Sequence, residues 1–76
     1  MNGFAEAIEF KVLPDFEYTN IPLKEMELHD NVLIAGITRS NTAIIPNGDD
    51  VILPGDNVIV IAEGKHVLSL SEIIKR

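Results

Sequence analysis

The stretch that decides the fold is Ile44-Ile45-Pro46-Asn47-Gly48-Asp49-Asp50-Val51-Ile52-Leu53-Pro54-Gly55-Asp56-Asn57-Val58-Ile59-Val60-Ile61. Two turn signals, Pro46 to Asp49 and Pro54 to Asp56, are separated by one short apolar piece. Gly48 and Gly55 supply positions open to positive φ, and the Asp side chains bind nearby backbone N–H groups and fix each corner. The chain is therefore folded back sharply, strand against strand. After the second corner, Asn57 to Ala62 read as a strand with Val58 and Val60 on one face and Ile59 and Ile61 on the other.

Upstream, the chain alternates from Glu6. Ile8, Phe10 and Val12 share one face, Glu9 and Lys11 the other, and Pro14 ends the strand. Asn20 is placed to cap a helix with Pro22 in its first turn, and Leu23 and Met26 lie one helical turn apart. This predicts a helix over 23–28 that stops before the turn-forming run His29-Asp30-Asn31. Val32 to Ile37 is continuously apolar, as expected of a strand covered on both faces, or on one face by its own fold and on the other by a second subunit. Thr38 to Asn41 read as a turn and Thr42 to Ile45 as a further short strand.

Downstream of Ile61, Glu63-Gly64-Lys65 break the last strand. Ser69 with Glu72 three residues on matches a capping box, and Leu70, Ile73 and Ile74 follow at helical spacing. Lys75 and Arg76 suit the negative end of a helix dipole. The expectation is an α+β fold: a small, strand-rich single domain over 1–76, ordered strand, helix, three or four strands, helix, with a mostly antiparallel sheet. Met1 to Ala5 carry no pattern and read as a frayed start.

Composition narrows the functions. Seventy-six residues bury a thin core, about 60–65% of the unfolded surface. With no cysteine, support from disulfides or thiolate metal sites is excluded. A partner subunit or a larger surrounding chain is the expected source of stability. The net charge of −6 opposes nucleic-acid binding and adsorption to an anionic membrane, because the few basic residues are scattered rather than striped. The longest apolar run, Val32 to Ile37, is far short of the roughly 20 residues that cross a bilayer. No basic region followed by an apolar one opens the chain, so a cytoplasmic location is expected.

Catalytic equipment is sparse. Ser40, Ser69 and Ser71 stand beside no base held by a third group, and there is no Gly-x-Ser-x-Gly elbow. Asp49, Asp50 and Asp56 fit no calcium-loop spacing and are explained by turn capping. His29 and His66 lie far apart beside turn residues. No metal site and no enzymatic activity are expected.

The order of an amphipathic strand, the Leu23-Lys24-Glu25-Met26-Glu27-Leu28 segment, an apolar strand ending in Ile37-Thr38-Arg39, then Ile-Ile-Pro-x-Gly-Asp and Gly-Asp before a last strand resembles the TrkA C-terminal domain. This is the C-domain of regulators of potassium conductance, and the resemblance runs from Ala7 to Ile74. It implies a non-catalytic regulatory, ligand-sensing and dimerising module of a potassium (cation) transport system. The module would be cytoplasmic, peripheral to the inner membrane through a transporter subunit, and excised from or appended to a larger chain with its own nucleotide-binding domain. The Gly-x-Gly-x-x-Gly phosphate loop of such a domain is absent here.

The resemblance also implies a small nucleotide such as cyclic di-AMP held between two C-domains. Arg39 matches the family's Arg, Ile37 and Ile44 are the apolar walls, and Pro46 and Asn47 stand where the family has an Asn-Pro pair, with the order not matched. The homodimer surface is expected at Val32, Ile34 and Ile37. The competing expectation for Arg39 is a surface pair with a carboxylate, worth about 0–1 kcal/mol. The competing function is a small β-rich protein-interaction adaptor without a small-molecule ligand. A 23–28 helix and self-association are expected to separate the two.

Overall fold

The computed structural model describes residues 3–75, so the expectations placed on Met1 and Arg76 lie outside the described residues. Four strands, β1 (Ala5–Lys11), β2 (Val32–Arg39), β3 (Thr42–Ile44) and β4 (Asn57–Glu63), form one antiparallel sheet in the order β1-β4-β2-β3. The expected helices are two 3-10 turns, Leu23–Glu25 and Leu70–Ile73. The α+β expectation is therefore corrected: the domain is mostly β.

The helices fail for a physical reason. A lone helix shorter than about 12 residues is marginal in water, so its N–H groups are open to better offers. Leu23 N–H donates to the Asp50 carbonyl and Lys24 N–H to the Gly48 carbonyl. After one turn Met26 is extended, and Leu28 forms an antiparallel bridge with Ile74. His29 N–H donates to Ile73 and Lys75 N–H to Glu27, so each would-be helix supplies the other with a partner. At the second site the Glu72 carboxylate reaches back, but to Leu68 N–H and the Ser69 hydroxyl, and Ser69 caps no backbone N–H. This is a turn lock rather than the opening of a helix.

Strand β4 is the spine. Val58, Val60 and Ala62 point inward and are buried; they face Phe10, Ile8 and Glu6 of β1 and Ile37, Ile34 and Val32 of β2. A register shift between Ile34 and Gly36 leaves Ala35 as a bulge. Val12, Ile52, Val67, Leu70, Ile73 and Ile74 close over this inner face and complete the core. The outer face carries exposed apolar side chains among the described residues: Leu33 is 59% exposed and pairs with Ile61, 36% exposed. Of the two readings of the apolar β2 run, the chain's own fold covers one face.

The turns follow the sequence closely. Pro54 and Gly55 occupy the middle of a tight turn closed by Asp56 N–H to the Leu53 carbonyl, with Gly55 at φ 91. Gly48 works differently from expectation. It is not at positive φ; an added Cβ would sit 3.0 Å from the Lys24 Cβ, so the glycine lets the 23–25 segment approach. Between β2 and β3, Ser40 and Asn41 both have positive φ, the mirror-image turn that suits a two-residue hairpin.

Candidate functional site

Arg39 ends β2 on the inner face, and the hairpin turn after it fixes where its backbone points. Asp56 is placed by the Pro54-Gly55 turn and is 2% exposed. The two meet as a fork: Nε donates to Oδ1 at 2.9 Å and Nη2 to Oδ2 at 2.8 Å. Nη2 also donates to the Val51 carbonyl at 2.9 Å, and Leu53 N–H donates to Asp56 Oδ2 at 2.9 Å. One ion pair thus ties the β2–β3 hairpin to the segment leading into β4.

The electrostatics agree. The Arg39 hydrogen bonds hold the Asp56 carboxyl below the usual carboxylate range, against burial, which pushes it up. The same bond raises the Arg39 guanidinium, again opposed by burial. The surface-pair expectation for Arg39 is corrected upward, because its partner is buried and the geometry is bidentate. An anion seeking the fork would have to displace a buried carboxylate, leaving it uncompensated at a cost of about 3–5 kcal/mol. Of the Arg39 guanidinium nitrogens, Nη1 has no hydrogen bond among the described residues, and the side chain as a whole is 34% exposed.

The other expected site residues are only partly gathered. Ile37 pairs directly with Ile44 across β2 and β3, but Ile37 is 1% exposed and lies under the core. Pro46 is half-buried in the following loop. Asn47 is exposed and spent on the corner: its Oδ1 accepts from Asp49 N–H and its own N–H donates to Asp50 Oδ2. The expected pairing residues Val32, Ile34 and Ile37 all face inward, and Ile34 and Ile37 are buried. Val32 is half-buried, and Leu33, between Val32 and Ile34, is exposed on the opposite face.

The three aspartates are engaged separately, Asp49 with Lys24 at 2.7 Å, Asp50 in its turn and Asp56 with Arg39. Among the described residues no group of three or more His, Cys, Asp or Glu is placed to hold a metal ion. His66 meets Glu6 at 3.3 Å and stacks against Phe4, far from the Arg39 fork. Asp56 is the residue that sequence reasoning missed. The available signal was the one interior Arg together with a Pro-Gly-Asp corner, though nothing local says that the two meet.

This single antiparallel sheet, with its Pro-x-Gly-Asp and Pro-Gly-Asp corners feeding the central strand, defines a small sheet domain. Residues 7–75 match the TrkA-C domain family model, and the chain belongs to that family. It is 30% identical over 71 residues to a Trk system potassium uptake protein TrkA homolog 2 of Methanosarcina mazei, covering 93% of this chain and 16% of that protein. It is 33% identical over 73 residues to a Trk system potassium uptake protein TrkA homolog of Pyrococcus abyssi, covering 95% and 32%. A solved chain described as the structure of an RCK domain with cda superposes with a TM-score of 0.63 at 31% identity, over 71% of this chain and 76% of that one. The chain spans 16% to 32% of the length of these curated relatives. The family match runs through residues 23–28, which form no helix, so that helix does not separate a regulatory module from a β-rich adaptor.

Proposed function

We propose that this domain is a non-catalytic regulatory module of a potassium transport system, working on the cytoplasmic side and attached to or peripheral to a membrane transporter. The observation that carries the reading is the TrkA-C match over residues 7–75, joined by relatives named as Trk potassium uptake proteins. No helix among the described residues is long and apolar enough to cross a membrane, which leaves attachment to other parts of such a system. The module pairs with a second copy through the outer sheet face at Leu33, Ile59 and Ile61, because that apolar surface is open in the single chain. A ligand that favours one arrangement of the pair over another would then bias the attached transporter.

For an anionic ligand of the cyclic di-AMP kind, the contacts are the Nη1 edge of Arg39 together with Ile44 and Pro46. A solved chain described as an RCK domain with cda is 31% identical, which supports testing a small-molecule ligand. The β-rich adaptor reading is favoured by one observation, the commitment of the Arg39 fork to Asp56. The test has two parts. Sedimentation should show a dimer that Leu33→Glu converts to monomer, and the same substitution in a full-length potassium uptake regulator carrying this domain should alter potassium uptake. Calorimetry with cyclic di-AMP, with NMR shifts mapped to Arg39, Ile44 and Pro46, reads the ligand. A monomer at all concentrations, together with uptake indifferent to Leu33→Glu, would sink the regulatory-pair reading. Absence of heat on titration sinks the ligand alone.

A further inference from the structure

The two edges of the sheet are unlike. At β3 the edge is three residues long and runs into Pro46 within two residues, which blunts it. At β1 the edge is seven residues long, pairs with β4 without a register shift and contains no proline. The bonding phase of that pairing follows from its ends. Gly64 N–H donates to the Phe4 carbonyl, and Val12 N–H to the Asp56 carbonyl. Even-numbered residues therefore turn their backbone groups toward β4, and Ala5, Ala7, Glu9 and Lys11 turn theirs outward along the free edge. None of those outward groups has a partner among the described residues.

A second observation lies at the far end of the same strand. A cleft of about 380 Å³ is lined by Phe10, Val12, Leu13, Phe16, Leu68 and Leu70, with Lys11 and Asp15 at its rim. Its lining includes Phe10 and Lys11 at the end of β1 and Val12 and Leu13 just beyond it, so the cleft adjoins that end of the strand. Leu13 and Leu68 at this cleft are 58% and 84% exposed. An open strand edge with an apolar pocket beside it is the arrangement by which an extended peptide gains affinity from its main chain and selectivity from alternate side chains.

Charge decides which occupant fits. Glu9 on the edge and Asp15 in the cleft stand against one base, Lys11, among the described lining residues. We propose that the β1 edge receives an extended segment of a partner protein with apolar side chains at alternate positions, one of them seated in the Phe10–Phe16–Leu70 cleft, and basic side chains between them. This site is separate from the outer sheet face and from Arg39.

The test uses an acetylated, amidated heptapeptide with lysine at odd positions, valine at the second and sixth and leucine at the fourth. Titrated into the chain, it should shift the amide signals of Ala5, Ala7, Glu9 and Lys11 and slow their exchange with solvent. An analogue with glutamate for lysine should bind about tenfold or more weakly. Ala7→Pro removes an outward N–H while sparing every bond to β4, and should weaken binding about tenfold with the thermal midpoint nearly kept. Should that variant fail to fold, Glu9→Lys and Leu68→Glu read the same edge and cleft, and each should weaken the peptide. Shifts that map elsewhere, equal binding of the acidic analogue, or edge variants that bind as wild type would overturn the proposal. So would concentration-dependent shifts of the edge amides without peptide, because the occupant would then be a second copy.

Discussion

Asp56 and Arg39 show how one contact sets a local energy scale. Arg39→Ala leaves a buried carboxylate with the Leu53 N–H as its remaining donor, and should cost about 3 kcal/mol in urea unfolding near neutral pH. The pH dependence has a definite sign. Asp56 binds its proton less tightly folded than unfolded, so the pair's contribution is complete above the ordinary Asp value of about 4 and is lost as pH falls through the lowered folded value. The gap between wild type and Arg39→Ala should thus be constant above about pH 5 and shrink as acid is added. A gap that is flat down to the acid transition would mean that the fork contributes shape and not charge. Arg39 itself stood out in the sequence. Its buried partner did not, because a carboxylate after Pro-Gly is equally at home capping a turn in water.

At the scale of elements, the strands were legible and the helices were not. Alternation in Glu6–Val12 and Asn57–Ala62 maps directly onto β1 and β4, since one buried face enforces period two. The Leu23–Leu28 and Ser69–Ile74 segments carry helical spacing and capping residues, but those signals describe local preference alone. What decided the outcome was the Leu28–Ile74 bridge, a contact between segments that neither sequence window contains. The hairpin is a place where local chemistry leaves room. Ser40 and Asn41 both hold positive φ, so replacing them with Asn-Gly should stabilise the domain by about 1 kcal/mol, read from the denaturation midpoint at unchanged slope.

For the whole molecule, adjacent residues of β2 separate fold from function. Ile34 is 8% exposed and Leu33 is 59% exposed on the opposite face. Ile34→Ala should lose about 3 kcal/mol through a core cavity, while Leu33→Ala should stay within about 0.5 kcal/mol and instead weaken self-association in sedimentation. If the two cost the same, Leu33 is held by packing that the outer face does not display. Val32, Ile34 and Ile37, the residues expected to pair with a second copy, turn toward the core. An unbroken apolar run has no phase, and only the register with β4 shows which side chains turn inward.

The strand order has a last consequence, for how the chain comes into being. Ala5 pairs with Glu63 and Lys11 with Asn57, so β1 meets its neighbour in this sheet only after β2, β3 and β4 have been made. The β2–β3 hairpin can close at once, but β1 must wait, with both edges bare, until β4 emerges and docks between them. Assembly is therefore governed by long-range closure and is slow for a domain of this size. During that interval β1 is the segment most in need of shielding from other chains.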